Sequence, residues 1–459
     1  METEKTLLEY QDEVIKLMID NKCILARDIL VEINNAVDVA EILEDVIQEA
    51  GIKEAVLLFR SLPKELSVEV FSFLPVEDQL AIINAITEKE ITSILEQLAF
   101  DDFIDVLEEL PANLVDKILE KTPKEKRHEI NTFLNYPDGV AGTLMTPEYI
   151  SLRKDMTASE ALEYIKKEAY DSETIYTCYV KDKGRKLVGI ISLRALLVAK
   201  DEEVVENIMQ EDYIAVNVHQ DQEEVSEVFK KYGYLAVPVV DNEGRLVGII
   251  TVDDIFEVIE MEATEDIERM AGVLDSSKLE YLDASVWTHF KSRLPWLIFL
   301  MVSYMFTGLI INHFEDMLSK VLVLVSYMPL LMGTGGNSGS QAATLVIRGI
   351  ATGDIETRDA MKVLWKELRI SITIGIVLSG FNFLKVLLID HRGFLIALTI
   401  AVSMLCIVTF AKVVGSMLPL IAKKVKIDPA LMANPMIASI TDMFSVVTYF
   451  ALATLILGL

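Results

Sequence analysis

Sulfur and imidazole are both scarce in this 459-residue chain, which has three widely separated cysteines, Cys23, Cys178 and Cys406, and five histidines. Such spacing offers neither a disulfide framework nor a thiolate metal site. No nucleophile stands beside a base in a catalytic pattern, so no enzyme is indicated. The first residues, with Glu2, Glu4 and Glu9, lack the basic start and apolar core of a signal peptide, so the N-terminal half is expected in the cytoplasm. Basic charge is short as well, 42 Lys and Arg against 71 Asp and Glu, a net charge of −29. From Arg293 onward 13 basic residues meet 9 acidic ones, so the first 292 residues carry −33. A surface this acidic repels nucleic acid and anionic headgroups. It leaves cations as natural ligands, or plain solubility as its purpose.

What the sequence has in abundance is apolar length. Runs of spanning length fall at about Pro295 to Ile311, Val321 to Ile347, Ile370 to Ile389, Phe394 to Ile421 and Leu431 to Leu459. These predict five membrane helices in residues 293–459. Lys and Arg cluster at Arg348, Arg358, Lys362, Lys366 and Arg369, and again at Lys412, Lys423, Lys424 and Lys426. The positive-inside rule puts these connections and the preceding soluble segments on the cytoplasmic side of a cell membrane.

The last run contains a single charge, Asp442. A carboxylate inside a spanning helix costs roughly 2.5 to 3.5 kcal/mol, so it normally faces a protein interior or a water-filled path. Asn434, Ala438 and Asp442, at i, i+4 and i+8, form one stripe roughly 12 Å long. Either this stripe is an ion site or a neighbouring helix satisfies the carboxylate. The second run carries Pro329-Leu330-Leu331-Met332-Gly333-Thr334-Gly335-Gly336-Asn337-Ser338-Gly339-Ser340-Gln341, whose glycines miss dinucleotide-loop spacing and lack a βαβ setting. They make it a packing or pore element.

Residues 1–135 read as short helices punctuated near Pro63, Pro75, Thr87, Phe100, Pro111 and Pro123, a period close to twelve, with Pro in the first turn. Helices so short must stack, which predicts an all-α superhelix. Asp101 and Asp105 lie one turn apart there, where like charges call for a bridging cation or a fully solvated face. Beyond Pro137 an α/β pattern repeats. Leu187-Val188-Gly189-Ile190-Ile191 recurs as Leu246-Val247-Gly248-Ile249-Ile250, and Leu144-Met145-Thr146-Pro147 is matched by Ile208-Met209-Gln210-Glu211. Two units follow, 137–200 and 201–255. Residues 256–292 then form an acidic linking region with Glu257, Glu260, Glu262, Glu265, Asp266 and Glu268. Its like charges at helical spacing should be relieved by cations.

The repeat resembles a tandem pair of CBS domains. That resemblance implies an adenine nucleotide such as ATP, held by a Thr or Ser and an Asp three residues later. Thr251 and Asp254 fit in the second unit; the first has Ser192 but Ala195. The glycine-rich stretch and Asn434-Pro435-Met436-Ile437-Ala438-Ser439-Ile440-Thr441-Asp442 resemble the paired signatures of the MgtE family of magnesium channels, and the order of parts agrees over the whole chain. The resemblance implies a homodimer in membrane lipid, with a pore between the second and fifth membrane helices and Mg2+ held at Asp442. It also implies that cytosolic Mg2+ closes the pore by drawing the linking "plug" helices together. By position it assigns regulatory Mg2+ ligands to Glu69, Asp101 and Asp105, to Asp221 and Glu223, and to Asp254, Glu257, Glu262, Glu265 and Asp266. Alternatives are a channel for Co2+ or Mn2+, or a nucleotide-sensing membrane receptor.

Overall fold

The computed structural model describes residues 6–95, 97–274, 281–282, 284–315, 321–432 and 434–458. It divides into two compact units, Met1–Ile259 and Glu260–Leu459. Part of the linking region and the Asn434 side chain, both named above, lie outside the described residues.

In the first unit ten helices come first: α1 (Leu7–Ile19), α2 (Cys23–Ile33), α3 (Ala36–Glu49), α4 (Ile52–Ser61), α5 (Lys64–Ser72), α6 (Val76–Ala85), α7 (Glu88–Leu95), α8 (Phe100–Glu109), α9 (Ala112–Lys121) and α10 (Lys124–Phe133). From α4 to α10 each helix begins twelve residues after the one before. Pro63, Pro75, Pro111 and Pro123 stand at the N-cap rather than inside the first turn, each with φ between −52° and −57° and an extended ψ. The fixed proline φ and missing N–H stop one helix and start the next at that position. Each helix buries one stripe, as α8 does with Phe100, Phe103, Ile104, Val106 and Leu107. Carboxylates occupy the rest of α8, because a ten-residue helix has only one face to bury.

The α/β region holds β1 (Tyr149–Arg153), α11 (Ala158–Glu168), β2 (Thr174–Lys181), β3 (Leu187–Ser192), α12 (Leu193–Val198), α13 (Val205–Ile208), β4 (Val216–Asn217), α14 (Gln222–Tyr232), β5 (Ala236–Val240) and β6 (Leu246–Thr251). Each three-stranded sheet has one parallel and one antiparallel pair, in the orders β1-β2-β3 and β4-β5-β6. The two matching openings are exchanged between the repeats. Thr146 bridges to Ile249 of the second sheet, and Gln210 bridges to Ile190 of the first. One apolar core runs from the N-terminal helices into α14, β5 and β6, and it includes Val225, Phe229, Val237 and Ile250.

Helix α15 (Val252–Ala271) follows. The second unit contains α16 (Val286–His313), α17 (Met328–Ala351), α18 (Ala360–Leu384), α19 (Phe394–Lys424) and α20 (Asn434–Leu457). Among the described residues four segments are long and apolar enough to cross a membrane, and they contain α16, α18, α19 and α20. Helix α17 has 24 residues but a diluted apolar character, because Gly333, Gly335, Gly336, Asn337, Ser338, Gly339 and Ser340 interrupt it. Of these, Gly335, Gly336, Ser338 and Gly339 are buried, whereas Gly333 and Asn337 are exposed. The first apolar helix is longer than its apolar run, starting at Val286, where Ser285 caps it by accepting from the Thr288 N–H. Helix α18 ends in a π-turn, Lys385–Ile389, from which Lys385 reaches Asp390 at 2.6 Å; Tyr327 donates to the same carboxylate at 2.6 Å.

Candidate ion site and carboxylate clusters

On α20 the hydroxyls next to Asp442 are committed to their own helix. Thr441 Oγ1 donates to the carbonyls of Ile437 and Ala438 at 2.8 and 3.0 Å, and Ser445 Oγ donates to Thr441 O at 2.6 Å. Asp442 itself is half-buried and has no hydrogen-bond or ion-pair partner among the described residues. A carboxylate at membrane depth without a partner in its own chain needs water, a cation or a second copy of the chain to compensate it. Among the described residues no neighbouring helix supplies Asp442 with a hydrogen-bond or ion-pair partner.

The stripe below Asp442 is cut to fit α17. A Cβ placed on Gly336 would lie 3.6 Å from Ala438 Cβ, and one on Gly339 would lie 2.6 Å from Ile437 Cγ2 and 3.1 Å from the Ala411 carbonyl oxygen. Gly415 of α19 is tighter still, since its Cβ would come within 2.2 Å of the Gly339 oxygen. Gly339 and Gly415 let the α17 and α19 backbones approach closely, as small residues do where membrane helices pack, while Gly336 meets Ala438 of α20 in ordinary contact.

Away from the apolar helices the acid is gathered into two groups. In the first unit, the N-terminal turn of α8 presents Asp101 and Asp102 to Glu148, Glu173, Asp253 and Asp254. The parallel pairing that aligns Tyr149 with Thr174, and the bond from Glu173 N–H to Glu148 O at 2.8 Å, place Glu148 and Glu173 side by side. The Glu148 carboxylate accepts from the Phe100 N–H, one of the donors a helix start leaves open. Burial first, and then mutual repulsion, push Asp102 up to about 7, with Asp101, Asp105, Asp254 and Glu173 as its charged neighbours. Glu173 also rises to about 7, from burial and then from Asp101, Asp253 and Asp254. Asp254 reaches about 7 by burial and the charge of Asp101 and Asp253, although Thr251 Oγ1 donates to it at 2.5 Å. Burial first, and mutual repulsion second, thus raise several carboxylates gathered on these segments together, and a nearby cation would relieve both.

The second group closes the far end of α15. Burial raises Glu265 and Asp266, and Glu262 and Asp428 raise them further, while Arg269 partly offsets the repulsion by pairing with both Glu265 and Asp428. One residue along, Met270 packs against Ala343 and Ile347 of α17 and Ile437 of α20.

The structure thus brings together Asp101 and Asp254 in one group, with Asp105 exposed at its edge, and Glu262, Glu265 and Asp266 in the other. Glu69 lies exposed on α5 and Glu257 exposed on α15. Asp221 is an exposed N-cap, accepting from the Glu223 N–H at 2.9 Å, and Glu223 is exposed beside it. Sequence reasoning missed Asp102, Glu148, Glu173, Asp253 and Asp428. The acidic pairs Asp101-Asp102 and Asp253-Asp254 were a visible signal for two of them; nothing local marks Glu173, which arrives through strand register. Among the described residues no three His, Cys, Asp or Glu side chains are drawn together tightly enough to ligate a metal directly. Looser carboxylate groups of this kind suit a cation that keeps its water shell.

The chain matches three kinds of family model: a divalent cation transporter model over residues 328–452, an MgtE intracellular N-domain model over 34–139, and a CBS domain model over 141–202 and 205–261. It is 41% identical over 331 residues to the magnesium transporter MgtE of Thermus thermophilus, covering 72% of this chain and 73% of that protein. Against the magnesium transporter MgtE of Enterococcus faecalis the identity is 35% over 331 residues, covering 72% of each chain. Among solved structures, a crystal structure of the cytosolic domain of the Mg2+ channel MgtE in complex with ATP is 35% identical, covers 50% of this chain and 96% of that one, and has a TM-score of 0.45.

Proposed function

Because the chain belongs to the MgtE family of magnesium transporters, we propose that it carries Mg2+ across the membrane along the seam between α17 and α20, with Asp442 holding the passing ion. The observation that carries this reading is the half-buried Asp442 carboxylate, which has no protein partner among the described residues, one turn from the contact of Ala438 with Gly336. Mg2+ takes six oxygens in near-octahedral geometry and sheds water reluctantly. One carboxylate per chain, with small residues and an amide stripe leading to it through Ala438 and Asn434, suits a hydrated ion. The soluble segments, within limits 1–135, 137–200, 201–255 and 256–292, precede a membrane domain at 293–459 in which α16 to α20 are the five spanning helices. The pore forms where two copies meet in membrane lipid. The protein is a transporter and not an enzyme.

Closure follows from the two carboxylate groups. Cytosolic Mg2+ binding at Asp101, Asp102, Glu148, Glu173, Asp253 and Asp254 relieves the repulsion that opposes the compact form. Binding at Glu262, Glu265, Asp266 and Asp428 steadies the end of α15 against α17 and α20. Glu69, Asp105, Asp221, Glu223 and Glu257, exposed in one chain, serve between chains or as outer ligands. A state that binds more ions is favoured as ion concentration rises. ATP or another adenine nucleotide has one complete half-site, Thr251 and Asp254; in the other, Ser192 is occupied in capping α12 through the Ala195 N–H at 3.1 Å.

Reconstitution into liposomes tests the path. Asp442→Ala should abolish Mg2+ influx while the protein keeps its elution volume and helicity. Influx within twofold of the parent would return Asp442 to a structural role. Parallel assays with Co2+ and Mn2+ decide between magnesium and the other divalent ions.

A further inference from the structure

Two charged side chains in the second unit take no part in either group. Glu367 on α18 is 8% exposed and Lys412 on α19 is 4% exposed, and among the described residues neither is hydrogen-bonded or in direct ion contact. The Glu367 Oε2 atom is fully enclosed without a partner. Charges buried at the edge of a membrane need an opposite charge or trapped water, since nothing apolar can replace their hydration.

The packing of α18 on α19 sets the level of each. The two helices run antiparallel. A Cβ on Gly375 would lie 2.7 Å from Leu405 Cδ1, and the rings of Phe383 and Phe394 meet at 5.7 Å. In an antiparallel pair, moving two turns toward the start of one helix matches moving two turns toward the end of the other. From the Gly375–Leu405 level this brings Glu367, which shares the buried stripe of Ser371, Gly375 and Ser379, level with the buried Lys412, eight residues back and seven residues on. On its other side α19 seats the pore-lining helix: Ala411 and Gly415, which flank Lys412 in sequence, are the residues whose backbones approach Gly339. Lys412 therefore lies about one helix diameter, roughly 10 Å, from the α17–α20 seam. Lys362, Lys366 and Arg369 nearby are exposed, where water and salt screen them.

We propose that Glu367 and Lys412 are a buried, mutually neutralising charge pair that sets the electrostatic potential along the adjacent stretch of the ion path. Glu367 cancels a lysine charge that would otherwise oppose a divalent cation, because a charge shielded from water projects its field much farther than an exposed one. This inference rests on the seam being the path.

The sign of the effect separates it from simple packing. In liposomes loaded with a Mg2+-sensitive dye, Glu367→Gln leaves Lys412 uncompensated and should slow influx at least threefold. Lys412→Met leaves Glu367 uncompensated and should speed influx at least twofold at low external Mg2+. The double variant Glu367→Gln/Lys412→Met should return close to the parent. Single variants that both slow influx, with a double variant no faster, would overturn the proposal in favour of packing. If either single variant fails to give monodisperse protein, the exchange Glu367→Lys/Lys412→Glu decides: influx within twofold of the parent supports the pair, and influx below a tenth of it overturns the pair. Asp442→Asn is run alongside. Full influx through that variant would strike at the seam itself, whereas its loss combined with same-sign effects at Glu367 and Lys412 would strike at the pair alone.

Discussion

Replacing Asp102 with Asn removes one charge from the group formed by α8 and the α/β repeats. Asp102 is held at about 7 instead of 3.8, a rise of about three units. At 1.36 kcal/mol per pH unit, ionising a fully enclosed group so raised would cost about 4 kcal/mol. The group keeps part of its solvent contact and shares its repulsion with coupled neighbours, which reduces the figure to about 2 kcal/mol. The sign follows from linkage. The folded chain holds this proton more tightly than the unfolded one, so the contribution is favourable below pH 4 and is lost as pH rises toward 7. With EDTA present, the parent should lose stability across that window and level off above it, and Asp102→Asn should lose less. At pH 8 the variant should melt roughly 4 to 8 °C higher, on the usual scaling for a domain of about 250 residues. Adding 10 mM Mg2+ should reverse the order, because the parent gains a bridging ion that the amide holds poorly. Thermal melts of the full chain in detergent, read by trypsin cleavage of the soluble segments, measure both effects. Equal melting temperatures in EDTA at pH 8, or equal gains on adding Mg2+, would falsify the assignment of this group as a cation-relieved cluster.

Two further outcomes test the pore seam and the nucleotide half-site. Gly415→Ala drives a Cβ to within 2.2 Å of a backbone oxygen, so Mg2+ influx should fall at least tenfold in correctly inserted protein, whereas Gly380→Ala, which meets nothing within 4 Å, should conduct normally. Thr251→Val removes the hydroxyl that holds Asp254 and should weaken ATP binding about tenfold by calorimetry, the scale of one lost hydrogen bond to a charged group, while Ser192→Ala leaves binding unchanged.

The sequence alone determined every feature whose cause is local. The twelve-residue spacing of breakers marks the starts of α5 to α10, and at α5, α6, α9 and α10 the cause is local, because proline fixes its own φ and withholds a donor wherever it stands. The repeated strand motif announces two α/β units, and four of the five apolar runs match segments that, among the described residues, are long and apolar enough to cross a membrane. Asp442 stood out because a lone carboxylate in such a run has few inexpensive explanations. Tertiary structure decided what depends on register and facing. The repeats exchange their openings, Thr146 to Ile249 and Gln210 to Ile190, a pairing that two similar motifs permit but do not specify. Glu173 joins the acid group because parallel pairing with β1 aligns it beside Glu148, although nothing around it in sequence marks it. In the sequence Lys412 falls in a cluster of basic residues, and nothing local singles out Glu367. Their burial, 8% and 4% exposed, is decided by tertiary packing, because a helix surface is shared among neighbours that sequence spacing cannot name.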